Sequence, residues 1–411
     1  MTILPKAASK GLFNSLVIVA ALGYFVDIYD LVLFSIVRVD SLKDLGLSGA
    51  AVMTQGVFLL NMQMLGMLIG GIFWGILGDK RGRLSVLFGS ILLYSIANIA
   101  NGFVTTVEAY AVWRLIAGIG LAGELGAGIT LLTETLPQKL RGYATMIVAT
   151  VGVSGAVFAG VISDHFLWRT NFFIGGALGL LLLILRLSVF ESGLFTQLKT
   201  KSVSRGNFWS LFTSKNRFTR YLLCILIGMP LWYVIGILIT FSPELSKSLG
   251  VVGEISPGKA IMYCYGGLVA GDFASGFLSQ LWKSRRKAIA LFLGISIVGM
   301  ATYFGTHGLQ ASTFYLLCAF LGFGSGYWAI FVTVAAEQFG TNLRSTVAIS
   351  VPNFVRGAVI PITLLFQGFT ADLGLVGSGV VIGSGCMALA LFSLVFLEET
   401  YHKEMDFLEL N

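Results

Sequence analysis

GILGDKRGR, Gly75–Arg83, is the stretch on which the reading of the whole chain turns. Its core GDKRGR (78–83) sets Asp79, Lys80, Arg81 and Arg83 directly behind the apolar run LGMLIGGIFWGIL (65–77), in a 411-residue chain that is 56% hydrophobic and 11% charged. Such a cluster can be a catalytic loop, a phosphate cradle or the polar turn between two membrane helices. A phosphate cradle is excluded, because the stretch lacks the Gly-Lys-Ser/Thr ending and the preceding strand that a P-loop requires.

Composition decides between the other two. Soluble domains carry roughly 25% charged residues, and a mean hydropathy of +0.86 leaves too little polar material to cover a water-exposed surface. The apolar residues fall in runs of about 20 or more, long enough to cross a hydrocarbon core about 30 Å thick as helices. Strand alternation is absent, which argues against a β-barrel. Twelve spans are predicted, at 12–36, 51–77, 84–104, 108–136, 143–163, 170–190, 218–242, 259–282, 287–306, 311–336, 345–369 and 376–397. The basic N-terminus runs into an apolar stretch too long for a signal peptide and is expected to be an uncleaved first helix.

With both termini placed inside, most of the 27 Lys and Arg fall in cytoplasmic segments, among them Lys80, Arg81, Arg83, Lys283, Arg285, Arg286 and Lys287. The pI of 9.2 therefore reports topology and implies no nucleic-acid partner. Arg114, Arg186 and Arg356 are cations inside predicted spans. Cys224, Cys264, Cys318 and Cys386 lie in apolar helices without metal-ligand spacing and read as small core residues.

The chain also divides in two. A first bundle is expected over 1–190, a cytoplasmic linker over 191–217 with a surface-lying amphipathic piece around FWSLF, a second bundle over 218–397 and a cytoplasmic tail over 398–411. The halves echo one another. GILGDKRGR after the second span is answered by GFLSQLWKSRR from Gly276 after the eighth; ETLPQKLR, with Glu134 and Arg141, is answered at nearly the same offset by EQFGTNLR, with Glu337 and Arg344. Two echoes in one register point to a duplicated six-helix unit.

On these residues the chain resembles the major facilitator superfamily over essentially its full length. GILGDKRGR is similar to that family's loop motif between helices two and three, and RLIAGIGLAGE (114–124) to its fourth-helix motif. The resemblance implies an all-α integral membrane fold of twelve transmembrane helices in two pseudo-symmetric six-helix bundles. Substrate is then expected at the interface of the halves, near mid-membrane, with transport by rocking of one half against the other. Gating is expected from Asp79, Arg83, Glu134, Arg141, Glu337 and Arg344, with Asp79 bonding a neighbouring helix terminus when the cytoplasmic side closes. The second half has Gln280 in place of Asp79, so a weaker lock is expected there.

A charge inside a span costs from about 2.5 to more than 10 kcal/mol, so each one is a functional candidate. The first span carries Asp27 and Asp30 in GYFVDIYDLVLFS; the fourth carries Arg114 and Glu124, the eighth Asp272 and the eleventh Arg356. Asp30 follows a tyrosine, as does the first-helix acid of family sugar and metabolite proton symporters, and Arg114 aligns with the arginine that pairs with it. A carboxylate beside a guanidinium stays ionised until rearrangement removes that partner, after which burial favours the neutral acid. Asp30 is thus the first candidate for proton carrier, with Asp27 and Glu124 as alternatives and helix capping or bonding to helix neighbours as the non-functional reading of the aspartates. Glu124 is also a candidate substrate contact, its other reading being a buried glutamate hydrogen-bonded to an adjacent helix.

Arg356, in SVPNFVRGAVIPI between Pro352 and Pro361, offers a planar donor array suited to a carboxylate in a distorted helix. Asp272 is expected either to meet a cationic substrate group or to pair with Arg356, for which Asp372 is the other possible partner. Trp232 and Tyr233 of PLWYVIG, Tyr327 and Trp328 of GSGYWAIF, and the in-span polar residues Gln63 and Asn353 complete the expected substrate set, with helix packing as the alternative role of the aromatics. The fifth span has Gly155-Ala156 where the family's drug antiporters have Gly-Pro, and the tail LEETYHKEMDFLE resembles the ending of sugar and metabolite carriers. His165, His307 and His402 all fall in loops or the tail, which argues against a histidine proton relay.

The expectation is a proton-coupled secondary transporter importing a small polar metabolite, foremost an organic acid, in a bacterial inner membrane, working as a monomer in lipid. No cofactor or metal is expected beyond the proton gradient. Sugar or amino-acid symport and export remain alternatives, as does a transporter-like sensor. Nothing in the spacing points to an enzyme.

Overall fold

The computed structural model describes residues 15–81, 83–128, 138–191, 208–401, 403 and 409, and its regular elements are helices. The first half contains α1 (Ser15–Asp44), α2 (Ala50–Arg81), α3 (Arg83–Asn101), α4 (Val107–Leu121), α5 (Gln138–Ser163) and α6 (Trp168–Glu191). The second begins with α7 (Lys215–Tyr233), which continues as π-helix over Val234–Ile239, and a short α8 (Ser242–Ser248). Then come α9 (Pro257–Leu281), α10 (Arg285–Gly305), α11 (Ala311–Gly324), α12 (Trp328–Glu337), α13 (Thr341–Gly357) and α14 (Val359–Phe396). Seven stretches of described helix are long and apolar enough to cross a membrane unaided. Their outer faces carry exposed large side chains such as Phe73, Leu181, Leu316 and Val395, as a lipid-facing surface requires.

The duplication read from the sequence is present in the packing. A methyl group on Gly66 of α2 would strike the Leu115 carbonyl of α4, and one on Gly118 would strike the Gln63 carbonyl of α2. The second half repeats this, with Gly267 of α9 against the Ala319 carbonyl of α11, and Gly322 against the Cys264 carbonyl. Reciprocal glycines bring backbones into contact where hydrocarbon gives side chains no solvent-driven reason to associate.

Several spans depart from uninterrupted helices, each for a local reason. The fourth stops at Leu121, turns at Ala122-Gly123 and resumes over 124–128. The seventh contains Pro230, whose missing N–H unseats the regular ladder, and the helix widens into a π turn that ends at Thr240. The tenth is two helices, α11 and α12, separated at Ser325–Tyr327 within the glycine-rich GFGSGYW. The eleventh and twelfth share α14, which turns a corner at Gly374, where φ of 67° is open to glycine without steric cost.

The short α8 escaped the sequence reading because seven residues are too few to show a helical period. The amphipathic piece in the linker is a 3-10 turn, Phe208–Leu211, that buries Phe208 and Leu211 and leaves Trp209 exposed. The rest of the linker up to residue 207, beyond Glu191, lies outside the described residues, as do Glu134, His402 and the side chains of Asp79, Arg83 and Arg141.

Candidate functional site

One pair of in-span charges, Asp27 and Arg356, meets across the seam between the halves. Asp27 and Asp30 stand three residues apart on α1, so helical rotation gives them different neighbours. Asp27 faces the second half, and its Oδ2 lies 4.0 Å from Nη2 of Arg356. Both side chains are fully buried. Neither Asp27 oxygen accepts a hydrogen bond, and Nε and Nη2 of Arg356 find no acceptor. The remaining nitrogen, Nη1, donates to Asn353 Oδ1 at 3.3 Å.

Two indoles frame the guanidinium, with the Trp232 ring centroid at 5.9 Å and the Trp328 centroid at 5.6 Å. Trp328 also reaches across the seam, donating from Nε1 to the Tyr24 hydroxyl at 3.0 Å. A narrow cleft beside it is lined by Tyr24, Leu125, Val148, Trp328 and Val332.

Local sequence explains why Arg356 sits there. Pro361 cannot donate to the Gly357 carbonyl, so helix continuity fails at Ala358 and α13 ends immediately beyond Arg356. A helix C-terminus favours a cation in its last turn. Asn353, one turn earlier, ties α13 to the first half by donating to the Ala122 carbonyl at 2.8 Å. The expected partners of Arg356, Asp272 and Asp372, are replaced by Asp27, the acid paired with it among the described residues.

Asp30 points into the first half, among Asn98 of α3 and Arg114 of α4, and against Gly175 of α6. The expected direct Asp30–Arg114 ion pair is not formed. Arg114 bonds instead to Gln63 of α2, whose amide donates to the Leu31 carbonyl at 3.1 Å, while Phe34 and Phe172 flank the guanidinium. Gln63 is thereby an internal brace of the first half rather than a seam residue. Both Asp30 oxygens and both amide atoms of Asn98 are buried without a hydrogen bond.

Glu124 pairs through both oxygens with Arg186 of α6, which also donates to the Leu87 carbonyl of α3 at 3.3 Å. Sequence reading noted Arg186 as an in-span cation but gave it no role; its partner lies 62 positions away and only folding brings them together. Asp272 accepts from the Ala329 backbone N–H at 3.1 Å and so caps the start of α12 where the tenth span is broken.

Of the four aromatics expected at the site, Trp232 and Trp328 face Arg356. Tyr233 and Tyr327 turn into the second bundle, donating to the carbonyls of Gly379 at 2.6 Å and Ile227 at 3.0 Å. A hydroxyl buried in an apolar bundle needs an acceptor, and backbone carbonyls of the neighbouring helices supply one.

The model of the Major Facilitator Superfamily matches residues 20–363. The chain belongs to that superfamily. It is similar to the niacin transporter NiaP of Acinetobacter baylyi, 24% identical with 80% of each chain covered. It is likewise similar to the gentisate transporter of Corynebacterium glutamicum, 25% identical over 91% of this chain and 86% of that one. The crystal structure of D-xylose-proton symporter shares the fold, with a TM-score of 0.68 over 95% of this chain and 99% of that chain at 17% identity. The protein is a membrane-spanning metabolite transporter.

At the end of the seam remote from GDKRGR, buried Arg38 of α1 donates from Nη2 to both Glu244 oxygens, at 2.7 and 2.9 Å, and to the Thr240 carbonyl at 3.2 Å. The Thr240 hydroxyl bonds Ser35 at 3.1 Å. Arg38 was missed in the sequence because it lies just beyond the predicted first span, which the helix overruns to Asp44.

At the basic end of the second half, Glu337 pairs with Arg285 at 3.5 Å, Arg344 stands near the start of α13, and Gln280 accepts from Tyr401 at 3.0 Å. Glu399 caps α10, accepting from the backbone N–H groups of Arg285 and Arg286 at 2.9 and 3.1 Å and from Ser284. The tail is thereby tied to the start of α10.

Proposed function

We propose that this transporter is a proton-coupled importer of small organic carboxylates, with Arg356 as the anchor of the substrate anion. The observation that carries the reading is a buried guanidinium on the seam, framed by Trp232 and Trp328, with two nitrogens lacking an acceptor. Such a site offers a carboxylate two parallel charge-assisted bonds and offers a flat substrate two aromatic walls. Sequence relatives named for niacin and gentisate support the same class. Proton coupling is assigned to the buried acids of α1, Asp30 first, since a carboxylate there can exist charged only beside a cation. The carrier sits in the bacterial inner membrane with the basic end and both termini inside, and works as a monomer.

The test is uptake into proteoliposomes holding the purified full chain, with an imposed inward proton gradient. Niacin and benzoate are expected to accumulate, with D-xylose and alanine as comparison substrates. Accumulation of the sugar or amino acid without the acids overturns the assignment. Saturable binding without flux establishes a sensor instead.

A further inference from the structure

We propose that Asp27 is the resident occupant of the substrate's carboxylate site, so that a carboxylate ligand binds by displacing Asp27 from Arg356 while Asp27 takes up one proton. This rests on the reading of Arg356 as the substrate anchor. The pair crosses the seam, Asp27 from the first half and Arg356 from the second, and 4.0 Å exceeds a hydrogen bond. The two are joined by charge without a hydrogen bond: Asp27 has no donor on either oxygen, and Arg356 keeps Nε and Nη2 without an acceptor while Asn353 occupies Nη1. The open Nε–Nη2 edge is the side-on docking edge for a carboxylate. Two carboxylates cannot share it without facing each other as like charges in a buried space.

Other groups around Asp27 do not substitute for Arg356. On its own helix stand Tyr24 and Asp30, and Asp30 points into the first half. From α3 and α9 come Tyr94 and Tyr265, and from the fourth and sixth spans come Glu124 and Arg186, whose charges compensate each other. Once displaced, Asp27 therefore has no cation of its own, and an isolated buried carboxylate neutralises by taking a proton rather than remaining charged. The exchange balances: one anion enters, one proton joins an Asp27 oxygen, and the charge around Arg356 is unchanged. Proton and substrate are then linked at the substrate site itself, and the linkage is reciprocal.

The experiment is binding of niacin and benzoate to the full chain in detergent between pH 5.5 and 8, read by tryptophan fluorescence, with proton uptake followed by an indicator dye in weak buffer. The wild type is expected to bind up to about tenfold more tightly per unit fall in pH and to take up close to one proton per ligand. Nicotinamide, the neutral isostere, is expected to cause no uptake. Asp27→Asn is expected to abolish the pH dependence and to bind more tightly than wild type at pH 8. A wild-type slope in Asp27→Asn overturns the exchange while leaving Arg356 as the anchor. Should that variant not fold, niacin binding to wild type without proton uptake overturns it equally. If neither carboxylate binds the wild type, the carboxylate reading itself falls.

Discussion

Arg38 and Glu244 clasp the two halves of the transporter at one end of the seam. The guanidinium holds both carboxylate oxygens, at 2.7 and 2.9 Å, and lies 4.6 Å from the centroid of Phe241. The π turn over Val234–Ile239 ends directly at Thr240, whose carbonyl accepts a further bond from Arg38. In this conformation the clasp bridges the two halves at that end, and under the proposed transport mechanism it must part for that end to open.

Glu244→Gln is therefore expected to favour opening at that end. A cysteine replacing buried Ser35, in a background lacking Cys224, Cys264, Cys318 and Cys386, reports it through an impermeant maleimide. Each loss of about 1.4 kcal/mol from the clasp corresponds to a tenfold shift in the open population. Exchanging the charges, Arg38→Glu with Glu244→Arg, is expected to restore slow labelling. Equal labelling rates in all three proteins would remove the clasp from the gate.

Asp30→Asn is expected to retain exchange of substrate across the membrane and to lose accumulation against a gradient. Counterflow and gradient-driven uptake in the same proteoliposomes separate the two. Continued accumulation by Asp30→Asn would show that the proton travels on another acid.

Breaking the Glu124–Arg186 pair should cost stability before it costs chemistry. Removing one member of a buried pair leaves an uncompensated charge worth about 3–5 kcal/mol. Arg186→Met alone should lower the melting temperature sharply, while Glu124→Leu with Arg186→Met should recover most of the loss. A single variant that melts like the wild type would mean that the pair contributes nothing to the first bundle.

Glu399 gives the basic end a pH dependence of its own. Burial alone would raise its carboxyl, but hydrogen bonds from Ser284 and from the backbone of Arg285, Arg286 and Tyr401 outweigh it and hold the group below its ordinary 4.5. A carboxyl depressed on folding stabilises fully above its unfolded value, and that contribution is lost as pH falls below about 4.5 toward the folded value. Glu399→Gln is accordingly expected to melt somewhat lower at neutral pH and to show a flatter decline below pH 4.5. A decline as steep as that of the wild type would place the acid sensitivity elsewhere.

GILGDKRGR, the paired echoes and the apolar runs already disclosed the membrane class, the twelve spans and the duplication, and the paired glycines of α2–α4 and α9–α11 confirm that duplication in space. This much was legible because hydrocarbon acts on every residue of a span alike, and a run of apolar side chains records that demand without reference to any neighbour. The interruptions were partly legible: Pro352 and Pro361 announced a distorted eleventh span, whereas the break at Ser325–Tyr327 was hidden inside a run with no proline at all.

The list of charged residues in the spans was readable too, but their partners were not. Asp27 meets Arg356, Arg114 meets Gln63, and Glu124 meets Arg186, because one residue of helix turns a side chain by about 100°. A small rotation about a helix axis therefore exchanges one neighbour for another at no cost in hydropathy. Which acid faces which arginine, and that Arg38 bridges to Glu244, is decided by how the glycine-studded faces interlock. That interlocking is a property of helices packed together, absent from any one of them alone.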